Sequence, residues 1–134
     1  MAEGLSVALP LSMDTVDGAY ALNKSMRRMA EQNLKMVLLT SPGERVMQPD
    51  FGVGIRNYLF EQNARGLTAG LKQRIQNQVT KYLPYMIITD LKVFSPTMVE
   101  YGPNVTDNTR LNVLISYAVP TLSISSTFAI AVEA

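Results

Sequence analysis

Leu111-Asn112-Val113-Leu114-Ile115-Ser116-Tyr117-Ala118-Val119-Pro120-Thr121-Leu122-Ser123-Ile124-Ser125-Ser126-Thr127-Phe128-Ala129-Ile130-Ala131-Val132 is the stretch that decides the fold class. Leu111, Val113, Ile115, Tyr117 and Val119 share one parity. After Pro120 the alternation restarts, with Leu122, Ile124, Phe128, Ile130 and Val132 on one side and Ser123, Ser125, Thr127 and Ala129 on the other. Period-two spacing of β-branched and aromatic residues places alternate side chains on one face of a strand. Two strands are therefore predicted, broken at Pro120, and the second carries no charge before Glu133.

Immediately upstream, Met86 to Phe94 is apolar and β-branched and reads as a third strand, while Tyr101 to Thr109 is turn-rich. Before it the period changes. Leu67, Leu71, Ile75, Val79 and Tyr82 lie four, four, four and three apart, a buried helical stripe, so a helix is predicted from about Gly66 to Tyr82. Pro84 disfavours a helical Leu83 and ends it.

An earlier helix is predicted to start near Asn23 or Ser25, either of which can cap it. Leu22, Met26, Met29, Ala30, Val37 and Leu38 fall near one face, and Lys24, Arg27, Arg28, Glu31 and Lys35 on the other. Glu31 and Lys35 stand in the favourable i, i+4 order. The basic stripe reads as a solvated face.

Ser41-Pro42-Gly43-Glu44 closes this helix with a type II turn, proline second and glycine third, because the third position needs positive φ. Residues 45 to 54 hold Pro49, Gly52 and Gly54 and read as an ordered loop, followed by one helical turn from Ile55 to Phe60. At the N-terminus Leu5, Val7, Leu9 and Leu11 alternate with Ser6, Ala8, Pro10 and Ser12, an extended arm with Pro10 restricting it to an edge.

Helices followed by hairpin-connected strands predict an α+β fold: two main helices on a small, mostly antiparallel sheet. The expectation is one domain over residues 1–134, with 1–18 as the extended arm and 122–134 as a C-terminal edge strand.

Composition narrows the chemistry. The 134 residues are 47% hydrophobic and 17% charged, enough to build a core. Twelve basic residues against eleven acidic ones leave +1, which offers no bulk charge for nucleic acid or membrane. No cysteine and no histidine are present. Disulfides, thiolate metal sites and every Ser-His or Cys-His pairing are thereby excluded. A cysteine-free chain suits a reducing cytoplasm. Residues 1–13 lack the basic start of a secretory signal, no apolar run is long enough to span a bilayer, and Asn104-Val105-Thr106 reads as a chance sequon.

Gly52-Val53-Gly54 has the look of a nucleotide loop, but Asn57 stands where the dinucleotide fingerprint needs glycine. A glycosidase needs only two carboxylates, for which Glu44, Asp50 and Glu61 are the candidates. Acids flanking a Pro/Gly turn more commonly bond backbone amides. Tyr58, Phe60, Tyr82 and Tyr85 border apolar stripes and read as core or interface anchors, Tyr85 as interface. No catalytic, cofactor-binding or metal residue is expected.

The segment from Asn33 to Gly52, with Gly43-Glu44-Arg45 and Pro49-Asp50-Phe51-Gly52 at this spacing, resembles the signature of the contractile-tail phage baseplate wedge and sheath-initiator family, the protein W-like subunits. The family is shared with a baseplate subunit of type VI secretion systems. The pattern continues through Ile55, Leu59, Phe60 and Glu61, and the resemblance spans roughly Ala19 to Val119. One departure stands out: where the family often has Glu-Pro-Arg, this chain has Leu83-Pro84-Tyr85. An equivalent contact here must be apolar and aromatic instead of ionic.

The resemblance implies a structural subunit, not an enzyme, that links baseplate wedge proteins to the first ring of the tail sheath protein and starts sheath assembly by strand sharing. It also implies several copies in the virion tail baseplate, assembly in the bacterial host cytoplasm, tube or hub proteins as further neighbours, and no nucleic acid, membrane or cofactor. Glu44, Arg45, Pro49, Phe51, Pro84 and Tyr85 are the expected wedge contacts. Leu122, Ile124, Phe128, Ile130 and Val132 are the expected sheath contacts. An uncharged terminal strand left without protection fits addition of a partner strand; the alternative is a strand that is central or covered by the chain itself. Other readings are a peptidoglycan-degrading, lysozyme-like baseplate component and a cytoplasmic anti-adaptor of similar fold.

Overall fold

In the computed structural model the described residues are 3–61, 65–94 and 110–133. The expected turn-rich 101–109 segment and the sequon lie outside them, and Leu67 falls in a helix but its side chain is not among those described. The chain forms two compact units, Met1–Met36 and Val37–Ala134.

The first unit begins with a short antiparallel ribbon, β1 (Ser6–Val7) against β2 (Leu22–Asn23), in the register Ser6↔Asn23 and Val7↔Leu22. The expected longer alternating strand is thus cut to two paired residues. Pro10 has no amide to continue a ladder. Gln32 fastens the ribbon from the side, its Oε1 accepting from Leu9 N (3.0 Å) and its Nε2 donating to Val7 O (3.0 Å). Lys24 Nζ lies 2.6 Å from Asp17 Oδ1. Its hydrogen bond holds the Asp17 carboxyl below the usual carboxylate range, and Asp17 in turn raises Lys24.

Helix α1 (Met26–Leu39) starts from this unit and runs across the boundary. Ser25 is the residue at its head, with Met29 N bonded to Ser25 O at 3.1 Å. Asn23 belongs instead to β2, where its amide donates to Ser6 Oγ and Gln32 Oε1. Ala30, Leu34, Val37 and Leu38 are buried, at the i, i+4, i+7, i+8 spacing of one helical face. Met26, expected on that face, is 39% exposed because it occupies the first turn. Glu31 pairs backwards with Arg27 (3.1 Å) and not with Lys35.

In the second unit, a loop from Thr40 leads to a 3₁₀ segment (Ile55–Phe60) and then α2 (Arg65–Tyr82). Leu71, Ile75 and Val79 on α2 are almost fully buried, and α2 packs on β3. A sheet follows in the order β3 (Ile87–Phe94), β4 (Arg110–Val119), β5 (Ile124–Glu133), antiparallel throughout. The α+β expectation holds. β4 is central and carries the core face, with Val113, Ile115, Tyr117 and Val119 at 2% exposure or less. Between β3 and β4 the register slips at Thr89, whose Oγ1 bonds Ser116 O at 3.0 Å, a bulge that the sequence did not announce.

Two expectations for the last strand divide. Among the described residues it is an edge strand, and its alternation is as read, with even-numbered positions facing inward. It does not start at Leu122, which sits in a 3₁₀ turn with Pro120 and Thr121. Ser123, at φ +51°, turns the chain back, so pairing begins at Val119↔Ile124.

Candidate partner-binding surface

The loop after α1 is built as a scaffold. Glu44 N bonds Ser41 O (3.1 Å) across Gly43 at φ +87°, and the Glu44 carboxylate returns to accept from Ser41 N at 2.9 Å. The type II turn is as expected, and Glu44 completes it. Gly43 N reaches Pro49 O at 2.7 Å and Phe51 N reaches Gln48 O at 3.1 Å, closing the loop's base. Val53 N and Gly54 N then bond Val37 O and Thr40 O, two carbonyls at the C-terminal end of α1 that the helix itself leaves free.

Two polar residues of α2 hold the same stretch. Gln78 accepts from Gly52 N and donates to Asp50 O, both at 3.0 Å, as a neighbouring strand would, and Arg74 donates to Gly52 O at 3.3 Å. The Arg45 guanidinium lies 3.9 Å from the Phe51 ring centre, and Phe51 meets Tyr82 edge-on at 4.8 Å. This stack brings the loop to the end of α2, immediately before Pro84 and Tyr85. Gln78 and Arg74 were not singled out from sequence; the available signal was their position one residue before the buried Val79 and Ile75.

The geometry also removes the nucleotide-loop reading. Gly52, Val53 and Gly54 each have their N–H engaged by the chain itself, so no nest of free amides remains for a phosphate. Among the described residues no group of His, Cys, Asp or Glu is placed to hold a metal ion.

Of the residues expected at wedge contacts, Glu44, Arg45 and Pro49 are exposed, whereas Phe51 is 7% exposed and acts inside the loop. Past α2, Leu83 is buried, Pro84 exposed and Tyr85 half-buried. A groove of about 440 Å³ opens there, lined by Gln76, Val79, Thr80, Pro84, Met86, Ile87 and Ile88. Its lining is mixed: Gln76 and Thr80 stand beside the apolar side chains, no aromatic ring takes part, and Tyr85 lies outside it, so the apolar and aromatic surface expected at this departure from the family pattern is not what lines the groove.

Of the residues expected at sheath contacts, Ile124, Phe128 and Ile130 are half-buried on the inward face of β5, Val132 is buried, and Leu122 stands off the strand. Beyond β5 no further strand lies among the described residues, and the 3₁₀ segment Ile55–Phe60 comes against β5.

Three solved structures share this fold. A provisionally assigned tail lysozyme from Geobacter sulfurreducens matches with a TM-score of 0.67 at 20% identity, covering 84% of this chain and 95% of that one. A chain of the anti-feeding prophage baseplate matches at 0.66 and 23% identity, covering 84% and 82%. A chain of the postcontracted pyocin R2 baseplate matches at 0.52 and 15%, covering 92% and 98%. No curated protein matches by sequence. The family model for baseplate wedge protein gp25 matches residues 24–121, from the start of α1 past the end of β4, and this chain belongs to that family.

Proposed function

We propose that this chain is a structural subunit of a contractile-tail baseplate, present in several copies. It joins its wedge partners through the 43–60 region and the groove beside Pro84, and it offers the outer edge of β5 to the first ring of sheath subunits. One observation carries the sheath assignment: among the described residues β5 is the outermost strand, 10 residues long, and uncharged until Glu133. Natural sheets usually protect such an edge with charge, proline or a covering element. A long edge without charge suits strand addition, in which main-chain hydrogen bonds give attachment and alternate side chains give register. Half-buried Ile124, Phe128 and Ile130 would extend the inward apolar face beneath the added strand. Membership of the wedge family and the similarity to two baseplate chains support placement in a tail baseplate; assembly in the host cytoplasm and tube or hub proteins as further neighbours belong to the same proposal.

No chemistry is assigned. Glu44, one of the acids a glycosidase would need, is engaged by Ser41 N and orders the turn.

The test exploits the alternation of amides along an edge strand, one towards β4 and the next outwards. Ser126 and Ala129 are small and of opposite parity, so of Ser126→Pro and Ala129→Pro one removes an outward amide and the other a β4 ladder bond. The variant with the wild-type melting temperature should assemble baseplates without sheath, as seen by electron microscopy of the particles. Normally sheathed tails from that variant would overturn the sheath assignment. Loss of the baseplate itself would move the β5 edge to a wedge contact.

A further inference from the structure

We propose that Val46-Met47, at the tip of the 41–54 loop, is an anchor that seats in an uncharged apolar pocket of a wedge partner; this rests on the wedge-docking reading above. Val46 is 93% and Met47 92% exposed, the highest values for large apolar side chains among the described residues. Slack chain does not explain them. The loop is closed beneath the tip by Gly43 N to Pro49 O and Phe51 N to Gln48 O, and its far side is clamped by Gln78 and Arg74. A scaffold of this kind holds the two side chains out in water, where apolar surface is unfavourable, when a freer loop could fold them back.

The charges beside the tip are turned away from it. Glu44 bonds back to Ser41 N, and the Arg45 guanidinium lies on the Phe51 ring. What projects is one stiff β-branched side chain and one adaptable thioether. An anionic or phosphorylated ligand finds no free partner in those two side chains. A bilayer is also a poor occupant: a whole myristoyl chain anchors a protein only marginally, and two side chains bury less. A protein pocket without charge fits both observations. Because the loop is already ordered, little entropy is lost on seating it, which is how a small contact becomes a strong one.

The test uses the full chain and the other wedge subunits of its own particle, co-expressed as the probe. The double variant Val46→Ser/Met47→Ser should melt as wild type, since both positions are in solvent, yet bind the wedge subunits roughly 30-fold or more weaker. Met47→Leu should stay within about tenfold of wild type. The chain has no cysteine, so Met47→Cys carries a single polarity-sensitive dye, whose emission should shift to the blue when the wedge subunits bind. Wild-type affinity in the double variant, or binding with the dye still in water, would overturn the anchor while leaving wedge docking intact. A blue shift on anionic vesicles and none on wedge subunits would overturn it in favour of a membrane contact. If the wild-type chain binds no wedge subunit at all, the docking reading fails and the anchor with it.

Discussion

Gly52 is the position where one methyl group should do most damage. Its φ is +103°, a region that side chains rarely adopt, and a Cβ built there meets Thr40 O at 2.1 Å and Thr40 C at 2.7 Å. Backbone strain at positive φ costs about 1–3 kcal/mol. The clash adds to it, because the atom in the way is a main-chain carbonyl already accepting from Gly54 N at 2.9 Å, so relief means moving the end of α1 or the loop. Losing that bond and one Gln78 bond costs about 0.5–1.5 kcal/mol each. Gly52→Ala should therefore lose roughly 2–6 kcal/mol, a fall of about 6–25 °C in melting temperature for a chain of this size. Gly43→Ala is the control: φ is +87° but nothing lies within 4 Å, so only the strain of about 1–3 kcal/mol applies. Gly70→Ala, inside α2 with open space around it, should stabilise by roughly 0.5–1 kcal/mol. Urea and thermal denaturation followed by circular dichroism measure all three. Equal losses at Gly52 and Gly43 would refute the reasoning, since the close approach to Thr40 would then contribute nothing.

Gln78→Leu removes both partners of the 50–52 stretch and should cost about 1–3 kcal/mol, whereas Gln78→Glu keeps the acceptor for Gly52 N and should cost less; matching denaturation curves for all three proteins would contradict the clamp. The Asp17–Lys24 pair predicts a pH window. Asp17 is depressed from 3.8, so its contribution is present above that value and lost as pH falls through the lower folded value; Lys24 is raised from 10.5, so its contribution is full below that value and lost as pH rises through the higher folded one. Exchange of the Leu22 amide, which bonds Asp17 Oδ2, should quicken at the acid end, and Asp17→Asn should flatten that response. Incubation of the purified chain with peptidoglycan should release no soluble fragments; release that disappears in Glu44→Gln or Asp50→Asn with folding retained would demand an enzymatic reading.

What the sequence determined by itself is whatever depends on local geometry. The four-residue steps of Leu71, Ile75 and Val79 could only line one helical face. The strict alternation through Val113, Ile115, Tyr117 and Val119 could only be a strand, and Pro42-Gly43 could only turn the chain in a few ways. Those features are set by backbone dihedrals and side-chain spacing within a few residues, and they sufficed for the α+β class. The motif around Gly43 to Gly52 added the family resemblance. Tertiary structure alone decided the rest, because it depends on which distant segments meet. Strand order made β5 an edge, and no periodicity distinguishes an edge strand from a central one with the same alternation. Gln78 acquired its role only when α2 came to lie along residues 50–52, 26 positions earlier in the case of Gly52. Gly52 had the look of a phosphate-loop glycine until the fold pressed it against Thr40, and Phe51 that of a surface contact until Arg45 and Tyr82 closed around it. Val46 and Met47 read as two more apolar residues in a string, and only the hydrogen bonds closing the loop beneath them turn them outward.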